Sequence, residues 1–284
     1  MKHRFDVRVG PVGFRIGSAW RGPIAAMEAL YAEYPRAPIP DFTVRLQPPN
    51  PWRRLIRPSV AIQGDHVLAE AVPLPLSMGL LAAEMGMNLQ IALGERRFLL
   101  LHAASVERDG RALILTGESG SGKSTLSALL GANDWRFMGD EFVLIEPETG
   151  RAFPFPRPVS LKNQSIAALT ALLPDDRFGP LLTNTPKGDI RHLRPDTSAI
   201  AKMEEPAVPA LILFPCFGPP RDVREVAASE AFVRLTQAST NYVALGERGF
   251  SALTRLVTAL PARAIDYPDT ATGIALVEKL WGAL

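Results

Sequence analysis

The run Gly117-Glu118-Ser119-Gly120-Ser121-Gly122-Lys123-Ser124 constrains this chain more than any other feature it carries. It fits the spacing G-x-x-x-x-G-K-[ST], with an apolar segment, Arg111 to Thr116, before it and a helix-forming segment, Thr125 to Leu130, after it. Glycines at these intervals let the backbone wrap closely and turn its N–H groups inward at the positive end of a helix, which makes a nest for phosphate. Lys123 then reaches the β- and γ-phosphates, and the Ser124 hydroxyl ligates the Mg²⁺ that accompanies them. The spacing predicts an α/β chain with a strand–loop–helix unit. Its nucleotide site is expected to comprise Gly117, Glu118, Ser119, Gly120, Ser121, Gly122, Lys123, Ser124 and Thr125, with ATP and Mg²⁺ as ligands.

Composition excludes several other classes. Of 284 residues, 47% are hydrophobic and 21% charged, so there is apolar material for a sizeable core. Lysine and arginine number 31 against 29 acidic residues, and no run of five like charges appears, so neither nucleic acid nor a membrane surface is an expected partner. The uncharged stretch Ala71 to Ala83 holds Pro73 and Pro75 and falls short of the roughly 18 residues a bilayer span needs. Met1 to Arg8 alternates charged and apolar residues and reads as a strand, not a signal peptide. Cys216 is the single cysteine, so no intramolecular disulfide forms and a cytoplasmic location is expected.

Two portions differ in texture. Residues 1–95 read as a small α+β portion, with alternating segments at Phe5 to Val9 and Phe42 to Leu46, an amphipathic stretch Ile24 to Tyr34, and a buried helix Leu76 to Leu93 stopped by Gly94. Residues 96–284 read as the catalytic domain. There, two apolar runs flank Asp109-Gly110, the signal of a type I′ hairpin. With those two residues as the loop, paired positions sum to 219 and His102 faces Gly117. Further along, a helix is expected at Asn163 to Leu173, a polar loop at Thr183 to Pro195, a strand at Ala210 to Phe214, and helices at Ala228 to Gln237 and Phe250 to Leu260. Trp20, Trp52, Trp135 and Trp281 are expected in packing, and Cys216 as a small buried hydrophobe.

Asp140 and Glu141 follow Lys123 by 17 and 18 residues, just ahead of the apolar run Phe142 to Ile145. A carboxylate pair at a strand edge near phosphates can hold Mg²⁺ and accept a proton from an attacking hydroxyl. The expected metal set is Ser124, Asp140 and Glu141, and the expected catalytic set Asp140, Lys123, His102 and Glu141. In the hairpin register, the His102 imidazole comes within reach of Asp140 or Glu141 and tunes the base. Arg157, Lys162, Lys187 and His192, in proline-flanked segments read as loops, are candidates to neutralise phosphoryl charge or to hold an anionic substrate. No Leu-Ser-Gly-Gly segment follows Ser124, which sets aside an ABC-type ATPase.

Leu101-His102-Ala103-Ala104, Gly117 to Ser124 and Gly139-Asp140-Glu141 together resemble the catalytic domain of HPr kinase/phosphorylase. More narrowly, the chain is similar to the HPr-kinase-related group called HprK-related kinase A. Glu107 to Gly110, Arg157 to Asn163, Thr185 to Gly188 with His192, Phe214-Pro215 and Asn241-Tyr242 carry that likeness along most of the chain. The resemblance implies a P-loop kinase core of the HPr kinase/phosphoenolpyruvate carboxykinase type. It implies Asp140 as base toward a serine-type hydroxyl on a peptide or small protein, a PqqD-like peptide chaperone as partner, and a homo-oligomer, since HPr kinases assemble into rings. Glu141 stands where HPr kinases carry Asp, and their glycine-rich segment for phosphorolysis is missing, so the likeness does not extend to the reverse reaction or to HPr as acceptor. The expected activity is thus an ATP- and Mg²⁺-dependent hydroxyl kinase. A small-molecule kinase and a nucleotide-gated peptide- or protein-binding module without transfer are the alternatives.

Overall fold

The structure is a computed structural model that describes residues 2–68 and 71–284. The first portion opens with the antiparallel pair β1 (His3–Val9) and β2 (Val12–Ser18) and crosses through α1 (Arg21–Leu30) to β3 (Phe42–Gln47). It continues through β4 (Ser59–Gly64) and β5 (Leu74–Pro75) to α2 (Gly79–Gly94). The five strands form one sheet in chain order, with β2 and β3 parallel across the α1 crossover. Met1 of the strand expected at the N-terminus lies outside the described residues.

The second portion holds β6 (Leu99–Leu101), β7 (Ala103–Arg108), β8 (Arg111–Thr116), α3 (Lys123–Gly131), β9 (Arg136–Gly139), β10 (Val143–Ile145), β11 (Ala152–Phe153) and β12 (Val159–Lys162). After these come α4 (Gln164–Thr170), β13 (Leu182–Thr185), β14 (Gly188–Leu193), α5 (Thr197–Ala201), β15 (Val208–Phe217) and β16 (Asp222–Glu225). The chain closes with α6 (Ala228–Ala238), α7 (Tyr242–Leu245), α8 (Glu247–Ala259), β17 (Ala262–Tyr267) and α9 (Thr270–Trp281). The fold is mixed α/β. Its central sheet has six strands in the order β16-β17-β15-β8-β7-β9, and two three-stranded sheets, β11-β10-β6 and β12-β14-β13, flank it.

Alternation along the central strands shows how that sheet is covered. Leu113 and Leu115 of β8 and Leu211 and Leu213 of β15 enter one core with Leu126 and Leu129 of α3 and Leu276 and Val277 of α9. Ile114, Ile212 and Phe214 enter another with Leu235 of α6 and Leu253 of α8. A strand buried on both faces has no polar positions to spare, which is why these segments read as continuous apolar runs. Asp109 (φ 54°) and Gly110 (φ 75°) form the expected type I′ turn, and β7 pairs with β8 so that partners sum to 219, from Arg108↔Arg111 to Ala103↔Thr116.

Several elements differ from expectation. Thr183 to Pro195 is not a loop: β13 and β14 form a hairpin turning at Pro186-Lys187, with Ile190, His192 and Leu193 buried. The sequence there is polar because β13 is an edge strand whose side chains mostly face solvent. The helix after Asn163 is shorter than predicted, ending at Thr170. Trp52 is 66% exposed, and Cys216, near the end of β15, is exposed too. The helical stretch Leu76–Gly94 is long and apolar enough to cross a membrane by length and composition, yet 56% of it is buried inside the protein. Counting uncharged residues stops at Glu84, which is itself buried.

Glu84 is the hinge of the whole arrangement. Its carboxylate pairs with the Arg157 guanidinium from the segment before β12, and both groups are buried. Arg157 also donates to Asn88 Oδ1, to the Glu84 carbonyl at 3.1 Å and to Tyr31 Oη at 3.3 Å, while Tyr31 Oη donates to Glu84 at 2.7 Å. Burial by itself lowers the affinity of Arg157 for its proton, but the Glu84 charge and Tyr31 outweigh that and hold it firmly protonated. The core of the first portion also takes in Phe98, Leu100, Phe142, Leu144 and Phe155, so the two portions share one interior. Arg157→Met, which strands the Glu84 charge, is expected to cost roughly 3–5 kcal/mol, seen as a lower urea midpoint. Adding Glu84→Leu should restore most of the loss, and a double variant as weak as the single one would show that the pair is not the source.

Candidate active site

Strand direction brings the chemical groups to one edge of the central sheet. β15 runs parallel to β8 and β17 parallel to β15, while β9 is antiparallel to β7 and therefore runs with β8. The C-terminal ends of β8, β9, β15 and β17 thus share one edge, the place where open α/β sheets leave a crevice. The loop 117–122 leaves β8 there, Asp140 and Glu141 follow β9, Phe217 and Tyr267 end β15 and β17, and His102 stands just before β7. A cavity of about 700 Å³ opens at this edge.

The loop geometry follows from its glycines. Gly117, Gly120 and Gly122 have φ of 149°, 87° and 96°. Gly122 is doubly constrained, because a Cβ there would lie 2.4 Å from the Tyr267 hydroxyl as well as straining the backbone. Ser119, Gly120, Gly122, Lys123, Ser124 and Thr125 line the cavity. Gly117, Glu118 and Ser121 do not line it, and Glu118 is exposed: Lys123 Nζ donates to the Gly117 and Glu118 carbonyls, both at 2.7 Å, and the Ser121 carbonyl accepts from the Phe217 N–H at 3.2 Å. Burial lowers the Lys123 pKa, with the Asp140 and Glu141 charges opposing that.

Asp140 is 4% exposed. Ser124 Oγ donates to its Oδ1 at 3.0 Å, and its buried Oδ2 has no hydrogen-bond partner among the described residues. Burial first and the Glu141 charge second push its pKa up to about 7, against the pull of the Ser124 hydroxyl and Lys123. Glu141 sits in the left-handed region at φ 72°, a conformation that costs a non-glycine residue about 1 kcal/mol or more and clusters at functional sites. His102 Nδ1 lies 3.1 Å from the Glu141 carbonyl oxygen and 3.6 Å from its carboxylate. Of the two acids expected within its reach, the imidazole meets Glu141.

The residues fit the ligands that the loop pattern calls for. Mg²⁺ is held by one or two carboxylates together with substrate phosphates, and Ser124 Oγ with the unpartnered Asp140 Oδ2 make such a set. Among the described residues no group of three or more His, Cys, Asp or Glu is placed to cage a metal.

The four cations divide. Lys162 and Lys187 line both the large cavity and a smaller one adjoining it, whereas Arg157 and His192 line only the smaller. Arg157 is committed to Glu84, and His192 is 1% exposed on β14, so neither is the free loop cation expected from the flanking prolines. The sequence reading also passes over Phe217 and Tyr267, whose rings pack edge to face at 5.7 Å on the cavity wall, and Gln164 and Thr270, which line the same cavity. Their signal was positional, at the ends of parallel strands neighbouring the loop strand, and it needed the sheet order.

Because Asp140 binds its proton more tightly folded than at its ordinary value of 3.8, it adds stability below pH 4 that is lost as pH rises through about 7. In protein free of nucleotide and metal, Asp140→Asn should raise the melting temperature at pH 8, at roughly 2–4 °C per kcal/mol recovered. The gain should shrink toward zero by pH 4. An equal gain at both pH values would mean that the carboxylate is not held against its charge.

No protein-family model matches the chain, and no curated protein matches it in sequence. Among solved structures it is similar to the HPr(Ser) kinase/phosphatase from Coxiella burnetii, with a TM-score of 0.31 and 13% sequence identity, over 65% of this chain and 94% of that one.

Proposed function

We propose that this protein is an ATP- and Mg²⁺-dependent kinase that moves the γ-phosphoryl group to a hydroxyl. The observation that carries the reading is Asp140: a buried carboxylate with one oxygen on Ser124 and the other unpartnered, beside Lys123 on a cavity large enough for a nucleotide. The inward N–H groups of the loop and the N-terminus of α3 take the phosphates, and Lys123 leaves its two loop carbonyls to meet them. Phe217 and Tyr267 offer the base an aromatic wall. Ser124, with Asp140 or Glu141, would hold Mg²⁺, which when bound draws negative charge off the phosphates. Asp140 takes the proton of the acceptor hydroxyl, and its raised pKa suits a base working near neutral pH. His102 fixes Glu141, and Lys162 and Lys187 balance charge at the cavity rim.

The finer parts of the proposal rest on the motif likeness to HPr-kinase-related kinases: a serine-type acceptor on a peptide or small protein, a PqqD-like chaperone as carrier, assembly into a homo-oligomer and a cytoplasmic location. The test is transfer of labelled γ-phosphate from ATP to peptide, protein and metabolite fractions of the host. Asp140→Asn should lower transfer by about 10²–10⁴-fold while nucleotide affinity stays within a few-fold, and Lys123→Ala should weaken both. Transfer retained in Asp140→Asn removes that residue from the base role. Nucleotide binding without transfer to any fraction would instead favour a nucleotide-gated binding module.

A further inference from the structure

Beside the nucleotide-sized cavity lies a second of about 100 Å³, whose walls come from both portions of the chain. Leu81 and Met85 of α2 form one side, Ile190 and His192 of β14 the other. Asp140 and Glu141 line both cavities. A carboxylate bordering two chambers stands where an occupant of one meets an occupant of the other.

Two properties define what the small chamber takes. At about 100 Å³ its volume is smaller than the roughly 150 Å³ of a cavity that holds benzene. That admits a short aliphatic arm and excludes a sugar ring or a phenol. His192 is 1% exposed, and its Nδ1 has no hydrogen-bond partner among the described residues, a cost that native proteins rarely carry unless a ligand or water completes the bond. Burial also lowers its pKa, so at neutral pH the imidazole is uncharged and can bond a hydroxyl, and Lys162 and Lys187 line this chamber as well as the larger one.

We propose that this chamber is the acceptor subsite: a short aliphatic hydroxyl enters between α2 and β14, with His192 Nδ1 and Asp140 as its polar contacts and Met85 setting its size. The proposal rests on the kinase reading and gives the first portion of the chain a task, since α2 shapes what reaches the base. Asp140 receives the hydroxyl proton, the acceptor oxygen bonds to the γ-phosphorus, the bond from that phosphorus to the β–γ bridging oxygen breaks, and ADP leaves. The hydroxyl belongs either to a serine or threonine side chain or to a small free alcohol, and the two are separable by experiment.

The first measurement needs no turnover. The full chain has four histidines, so labelled imidazole signals can be assigned with His192→Phe and followed by NMR in the ADP-bound protein. Titration with N-acetylserinamide and with 1-propanol should shift the His192 signal saturably, and p-cresol should leave it in place. Met85 is 44% exposed, so Met85→Trp can fill the chamber with little disturbance to the core, and should abolish the shift. No saturable shift, or one that persists in Met85→Trp, overturns the subsite. In transfer assays with serine, threonine and tyrosine peptide pools beside propanol and glycerol, Met85→Trp and His192→Phe should raise the acceptor KM at least tenfold with ATP affinity unchanged. Serine or threonine peptides labelled alone identify the chain-borne source, and labelled alcohols the free one. An unchanged acceptor KM in both variants places the acceptor elsewhere while leaving the kinase intact. Absence of transfer in the wild type overturns the kinase reading and the acceptor role with it.

Discussion

A guanidinium enters a protein interior only when every direction it faces offers an acceptor, and Arg157 meets that demand by drawing three residues of the first portion around it. Tyr31 comes from the end of α1, Glu84 and Asn88 from successive turns of α2. Since Arg157 lies two residues before β12, the cluster fixes α2 against the sheet that carries Lys162, Lys187 and His192. Tyr34 adds a bond to the Pro156 carbonyl at 2.6 Å, and Asn241 ties Glu95, Phe98 and Leu100 together through their backbones. The wall that α2 presents near Asp140 is therefore held by buried polar contacts whose geometry tolerates little drift.

Around that fixed wall, the site works by opposed pressures on one carboxylate. Burial and the Glu141 charge drive Asp140 toward its neutral form, while Ser124 and Lys123 favour the charged one. The balance leaves a group that is neither a permanent anion nor a permanent acid. The same local economy explains Glu141, whose left-handed backbone turns the chain sharply after β9 and presents its carbonyl to His102. Strain in one residue and an unpaired oxygen in the next are tolerable because the surrounding strands are buried on both faces.

Much of the loop side of the cavity could be read from the residues alone, for a physical reason: its determinants are local. Glycines at fixed intervals, a lysine and serine opening α3, and Asp109-Gly110 between two apolar runs each specify backbone conformation within a few positions. The hairpin register from Ala103↔Thr116 to Arg108↔Arg111 follows for the same reason. What stayed hidden depends on partners distant in sequence. Arg157 is an unremarkable basic residue until Glu84, 73 positions earlier, is seen beside it. The β13–β14 hairpin lacks apolar alternation because an edge strand has little to bury, and Phe217 and Tyr267 acquire meaning only once β15 and β17 are known to be neighbours.

The shared interior has a bearing on how the chain is made. The core of the first portion is incomplete until Phe98, Leu100, Phe142, Leu144 and Phe155 have been made. At about 5–20 residues per second, the 60 residues from 95 to 155 take about 3–12 s to appear. Throughout that interval Glu84 has no Arg157, and the apolar side chains that meet those five residues lack their partners. The first portion thus reaches its full core only together with the segment that follows it.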